Sequence, residues 1–137
     1  MRDLGVEPVV LENVPSLKLQ ALLDKLEHNI SSCDYFVVLF TPDDMGYCPL
    51  KGETAKKARP RARQNVIFEA GYVARKRKQV MWLVKRSNPP IEMPSDVEGI
   101  AYHGFVSDVA EAKEFIRANL QHAGLLPTDV ATGTGTP

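Results

Sequence analysis

Two short, unbroken apolar runs restrict this chain more than anything else in it: Tyr35-Phe36-Val37-Val38-Leu39-Phe40 and Val80-Met81-Trp82-Leu83-Val84. Both are rich in β-branched and aromatic residues, and neither alternates with polar ones, which is the pattern of strands covered on both faces. Strands of that kind belong to a parallel sheet sandwiched between helices. A weaker strand is expected at Glu7 to Leu11 (EPVVL), where Pro8 suits only a strand start or an edge, and a fourth near Gly99 to His103.

Helical stripes occupy the intervals. Leu19, Leu22, Leu23, Leu26 and Ile30 recur at helical spacing before the first run, with Ser16 placed to cap the start. Between the two runs, Ala62, Val66, Ala70, Val73 and Ala74 make a second stripe, with Pro60 where a first-turn proline is tolerated. Val109, Ala112, Phe115, Ile116 and Leu120 make a third, which stops at Gly124 with Pro127 beyond. Strand and helix therefore alternate, and the expected fold is an α/β sandwich with a mostly parallel sheet flanked by helices. The polar, basic stretch Tyr47 to Arg59 (YCPLKGETAKKAR) reads as an exposed loop. Residues 127–137 carry almost no apolar surface and read as a disordered tail, which leaves one domain over residues 1–126.

Composition narrows the function classes. Lys plus Arg is 17 and Asp plus Glu is 17, so a net charge of zero gives no global pull toward nucleic acid or an anionic membrane. No apolar stretch approaches the roughly 18 to 20 residues of a membrane span, and Met1 to Gly5 has no signal core, so the expected location is cytoplasmic. Cys33, Cys48 and the scattered His28, His103 and His122 form neither a disulfide framework nor a metal-ligand spacing. The glycine-rich phosphate loops GxxxxGK[ST] and GxGxxG are missing, as are GxSxG and HExxH, so triphosphatase, dehydrogenase, hydrolase-elbow and zinc-protease readings all lose support.

In an open parallel sheet, ligands bind outside the carboxyl ends of the strands. That rule points to Thr41-Pro42-Asp43-Asp44, after the first run, and to Arg61, Arg63, Gln64 and Asn65 at the start of the following helix, where an anion such as a phosphate is favoured. The plainer alternative is that Asp43 caps a turn and the arginines are solvated. Glu69 lies three residues after Val66 and four before Val73, so its carboxylate projects within the apolar stripe. Such a glutamate is expensive unless it is paired, reaches water at the stripe edge, or has a use in a site. Asn65, one turn earlier, is placed to hydrogen-bond it. Gly71 costs about 1 kcal/mol relative to alanine inside a helix, which suggests a close backbone approach that offsets it.

Three blocks together resemble a known family: Val38-Leu39-Phe40-Thr41-Pro42-Asp43-Asp44, Arg61-Ala62-Arg63-Gln64-Asn65-Val66-Ile67-Phe68-Glu69-Ala70-Gly71-Tyr72, and Met93-Pro94-Ser95-Asp96-Val97-Glu98-Gly99-Ile100-Ala101-Tyr102. They are similar, in order and spacing, to the bacterial TIR-like domain of cyclic-nucleotide antiphage defence systems (CBASS and Pycsar), over about Leu4 to Leu125. The resemblance implies a flavodoxin-like sheet and, in active members, cleavage of the nicotinamide–ribose bond of NAD+ without a metal or redox cofactor. It puts the catalytic glutamate on Glu69, the pocket arginine on Arg63 and the aspartate of the PSD motif on Asp96, with Asn65, Asp43 and Asp44 as motif members. It also implies self-association when a sensor domain or partner binds a cyclic nucleotide. The family opens with a strand of the type VFIVHGH and a helix, whereas this sequence starts at what resembles the end of that helix, so an N-terminally truncated domain is expected. In the loop before the first helix, Val14 to Ala21 stands where the family tends to have a glycine and a threonine. The functions in contention are an NADase effector, a catalytically inactive nucleotide-binding or self-assembly module, and nucleoside N-glycosyl transfer.

Overall fold

The computed structural model describes residues 2–10, 19–76, 79–95 and 101–128. Ser16, Asp96 and the tail from residue 129 lie outside them, as do Leu11, Gly99 and Ile100 of the two weaker strand expectations. In chain order the regular elements are α1 (Leu19–Ser31), β1 (Tyr35–Phe40), β2 (Asp44–Gly46), β3 (Arg59–Arg61), α2 (Gln64–Arg75), β4 (Gln79–Lys85), β5 (His103–Phe105) and α3 (Lys113–His122). A 3-10 turn, Arg2–Leu4, precedes them, closed by Gly5 at φ 78, where a left-handed backbone favours glycine.

β1, β4 and β5 form a parallel sheet in the order β1-β4-β5. β1 runs beside β4 over six pairs, from Tyr35↔Gln79 to Phe40↔Val84, and β4 beside β5 over three, from Leu83↔His103 to Lys85↔Phe105. Side chains alternate across the pleat, so one face carries Phe36, Val38, Phe40, Val80, Trp82 and Val84. Against it pack Leu26 and Ile30 of α1 and Ala70 and Val73 of α2. The other face carries Tyr35, Val37, Met81, Leu83 and Phe105, covered by Ile116 and Leu120 of α3 and by Leu4 and Val6. This is the three-layer α/β architecture that the apolar runs require.

Several details depart from expectation. The segment at residues 7–10 forms no strand, and Val10 is 77% exposed. Pro8 has no N–H to give a ladder, and among the described residues no strand runs alongside to pair with it. The last strand is His103–Phe105, later than the expected Gly99 to His103, so the parallel sheet has three strands among the described residues. β1 is not buried on both faces. Only Phe40 of its residues is fully covered and Leu39 is 41% exposed, because among the described residues β1 stands at the sheet edge while β4 has a neighbour on each side. Met81, Trp82, Leu83 and Val84 of β4 are all buried.

The second helix starts later than its stripe suggested. Pro60 lies in β3, which pairs antiparallel with β2 (Asp44↔Arg61, Met45↔Pro60, Gly46↔Arg59), and the helix begins at Gln64. Pro60 is also held from outside, where its carbonyl accepts the Glu92 N–H at 2.8 Å. The expected loop between Tyr47 and Arg59 contains two 3-10 turns, Pro49–Lys51 and Ala55–Lys57. Val109 opens another, Val109–Ala112, capped by Asp108, and is itself partly exposed rather than in the core. Gly71 has open space around it: among the described residues a Cβ added there would meet nothing within 4 Å, so they supply no close approach of the kind inferred for it.

Candidate functional site at the carboxyl edge of the sheet

The chain leaves β1 at Thr41 and turns at once. The Asp43 N–H donates to the Thr41 carbonyl at 2.8 Å, and the Thr41 hydroxyl donates to Asp43 Oδ2 at 2.6 Å. This short Thr-Pro-Asp turn is the local chemistry by which hydroxyl and carboxylate side chains replace a backbone ladder. It fixes Asp43 beside α2, where Arg63 Nε stands 4.0 Å from Asp43 Oδ2. Asp44 opens β2 and faces Arg61 across the ribbon, with Arg61 Nε 3.7 Å from Asp44 Oδ2, while Asp44 Oδ1 accepts the Met45 N–H at 2.8 Å. Two arginine–aspartate pairs thus line the carboxyl edge of β1. Their side chains are more than a third exposed, so water screens both attractions.

Arg63 is the N-cap of α2. Its carbonyl accepts the N–H groups of Val66 at 3.0 Å and Ile67 at 3.3 Å, and its side chain makes no capping bond. The start of α2 therefore keeps unshared backbone donors beside two guanidinium groups, a favourable setting for an anion. Asn65 is exposed in the first turn, one turn before Glu69. Glu69 is half-buried, as its place among Val66, Ala70 and Val73 predicts. Ala70 of the helix under it, and Ala62 just before the helix, pack in one cluster with Phe40 and Trp82, whose rings stand 4.9 Å apart. Arg63 precedes Glu69 by six residues, so the two leave the helix about 120° apart at about 100° per residue.

The helix is also tied sideways. The Tyr72 hydroxyl donates to Glu27 Oε2 at 2.7 Å and Lys76 Nζ donates to Glu27 Oε1 at 2.8 Å, joining α2 to α1 one turn beyond Glu69. The ammonium of Lys76, and then the Tyr72 hydroxyl, hold the Glu27 carboxyl below its ordinary pKa, and Glu27 in turn pushes both partners up. At the far end of the sheet Glu111 accepts the backbone N–H groups of Val106, Ser107 and Asp108, at 2.9, 2.7 and 3.0 Å. Those three bonds depress its carboxyl to about 2.

The structure thus brings Asp43, Asp44 and Arg63 together with Arg61 and Thr41, and places Asn65 and Glu69 one turn apart on α2. Asp96 lies outside the described residues. Thr41 stands where the sheet-edge rule pointed, whereas Gly46, which lies against the Arg61 guanidinium, was not singled out and carries no local sequence signal. Among the described residues no group of three or more His, Cys, Asp or Glu side chains stands together to hold a metal ion. No helix among them is long and apolar enough to cross a membrane.

A parallel sheet between helix layers, with charged residues gathered where β1 gives way to the crossover helix, defines a three-layer α/β domain with its candidate site at the carboxyl edge of the sheet. More particularly, the model of the CAP12/Pycsar effector protein TIR domain matches residues 1–107, and the chain belongs to that family. It is 35% identical over 99 residues to the uncharacterized protein YuaY of Escherichia coli K12, covering 72% of this chain and 31% of that protein. It is 29% identical over 119 residues to protein tirC of Dictyostelium discoideum, covering 83% and 59%. The Pycsar effector protein PaPycTIR of Pseudomonas aeruginosa is 32% identical over 87 residues, covering 63% of this chain and 26% of that protein. The chain therefore spans from about a quarter to three fifths of the length of these relatives. No solved structure matches it.

Proposed function

We propose that this domain is an antiphage effector that cleaves the nicotinamide–ribose bond of NAD+, with Glu69 as its catalytic carboxylate. The observation that carries the reading is Glu69 itself: a glutamate held half-buried on a helix whose neighbouring positions are core, within the block Arg61 to Tyr72 that carries the family likeness. In the proposed step the glycosidic C–N bond breaks and its electron pair leaves with nicotinamide, which departs neutral from a cationic pyridinium and needs no general acid. The ribosyl carbon passes through an oxocarbenium-like state, and a water oxygen then adds to it and loses its proton. A single carboxylate in a partly desolvated place stabilises that positive charge. Arg63 holds the diphosphate, Asn65, Asp43 and Asp44 complete the rim, Asp96 is a further substrate-binding residue by family likeness alone, and NAD+ is substrate rather than cofactor. Activation is proposed to follow self-association, triggered by a cyclic nucleotide bound to a sensor domain or partner.

One observation favours a second reading, an inactive nucleotide-binding or assembly module: among the described residues the outer edge of β1 pairs with no strand. Chromatographic detection of free nicotinamide from NAD+, set against base release from simple nucleosides, separates these readings. The enzyme reading predicts nicotinamide from NAD+ only, and a raised KM for Arg63→Ala. Folded protein that binds NAD+ without releasing nicotinamide supports the module, and base release from nucleosides supports N-glycosyl transfer.

A further inference from the structure

We propose that Arg61, presented by the β2–β3 ribbon and laid over Gly46, is a diphosphate-binding residue of this domain, with the diphosphate of a dinucleotide or nucleoside diphosphate as its ligand class. The proposal deepens the NAD+ reading and rests on it for the ligand's identity, while its chemistry is tested independently below.

Three observations set Arg61 apart from the solvated lysines and arginines of the same loop. Its backbone is fixed from both sides, by Asp44 in β2 and by a parallel bridge to Glu92. Its guanidinium lies across Gly46 so closely that a Cβ there would overlap the guanidinium carbon and nitrogens. Only a glycine lets the fork take this place, and the fork is thereby pre-oriented before any ligand arrives. Finally, its Nε is buried and has no hydrogen-bond partner. A buried N–H without an acceptor is costly, so no protein hydrogen bond at Nε fixes this guanidinium, and a ligand would meet it through the part of the fork that stays open to solvent.

Asp44 does not supply that acceptor. At 3.7 Å it lies beyond hydrogen-bond reach of Arg61 Nε, and its other oxygen is taken by the Met45 N–H. The Arg61 side chain keeps 36% of its surface open to solvent, enough for a second fork position to meet an incoming oxygen. A planar fork suits bidentate phosphate recognition where a lysine would act only as a point charge. The loop that leads to it, residues 47–59, carries Lys51, Lys56, Lys57 and Arg59 against one carboxylate, Glu53, while Asp44 and, across the backbone bridge, Glu92 stand beside Arg61 itself.

The test measures binding of inorganic pyrophosphate by isothermal titration at low ionic strength, on wild type and on Arg61→Gln, Gly46→Ala and Lys57→Gln, with folding checked by circular dichroism. Losing a charge-assisted bond predicts roughly a tenfold or greater rise in Kd for Arg61→Gln. Gly46→Ala, which keeps the charge but displaces the fork, is expected to raise Kd several-fold, and Lys57→Gln to change it by less than about twofold. If Arg61→Gln does not fold, Gly46→Ala against Lys57→Gln decides alone. No binding by wild type, equal binding by Arg61→Gln, or an equal loss in Lys57→Gln overturns the proposal. Pyrophosphate binding through Arg61 without nicotinamide release leaves this assignment standing and removes the NADase reading. Nicotinamide release with pyrophosphate binding and KM indifferent to Arg61 does the reverse.

Discussion

At the scale of single residues, electrostatics is decided by which groups stand next to a charge, and the sequence exposes this unevenly. Glu69 was legible because helical spacing alone places it among Val66, Ala70 and Val73, and the structure keeps it half-buried there. Arg61 over Gly46 was not, since their contact joins two strands whose pairing no local pattern announces. Glu111 follows the same rule: its role needs the turn at residues 106–108, which sets three N–H groups on one carboxylate. A carboxyl ordinarily near 4.5 and depressed to about 2 in the folded chain stabilises the fold fully above its unfolded pKa. That contribution is lost as pH falls from about 4.5 toward 2. Thermal melts across this window should show Glu111→Gln less stable than wild type at neutral pH, with the two curves converging as pH approaches 2. Parallel curves would show that the carboxylate charge does not stabilise the turn.

At the scale of elements, the strongest periodic segments were the most readable. β4 and α1 lie where their apolar patterns put them, and Gly124, at φ 73, ends the run after α3 as expected. Errors fell where a neighbour overrides local preference. Pro60 satisfies a first-turn signal, but the β2–β3 ribbon and the Glu92 bridge draw residues 59–61 into extended backbone, so α2 starts after them. EPVVL has strand composition and no strand beside it. Gly71 shows a different limit, because helix propensity flags its cost while only coordinates reveal whether anything offsets it. Among the described residues nothing lies within 4 Å of a Cβ added there, so Gly71→Ala should stabilise the protein. The expected gain is about 0.5–1 kcal/mol, read from urea midpoints at unchanged m-value. A loss of stability would mean that a group outside the described contacts meets the new methyl.

At the scale of the whole molecule, β4 is the spine: it pairs on both edges, and its two faces contribute to both helix layers. Leu83, with 0% of its surface exposed, should cost about 2–5 kcal/mol on replacement by alanine. Leu39→Ala on the β1 edge should cost less than half as much, and comparable values in equilibrium unfolding would contradict the edge position of β1. The α/β class was readable because continuous apolar strands demand cover on both faces, whereas strand count and edge identity depend on long-range pairing. The same topology sets Asp43, Asp44, Arg61 and Arg63 at the carboxyl edge of β1, with Glu69 on the helix that follows. We propose that this arrangement cleaves NAD+ through Glu69. Fluorogenic etheno-NAD+ cleavage at high protein concentration tests it, comparing wild type with a Glu69→Gln variant of matched circular dichroism. Wild type should release fluorescence, and the variant should lose at least about a hundredfold, the scale of one well-placed charge at the transition state. Equal rates in the two proteins, or no cleavage by folded, self-associated wild type, would contradict it.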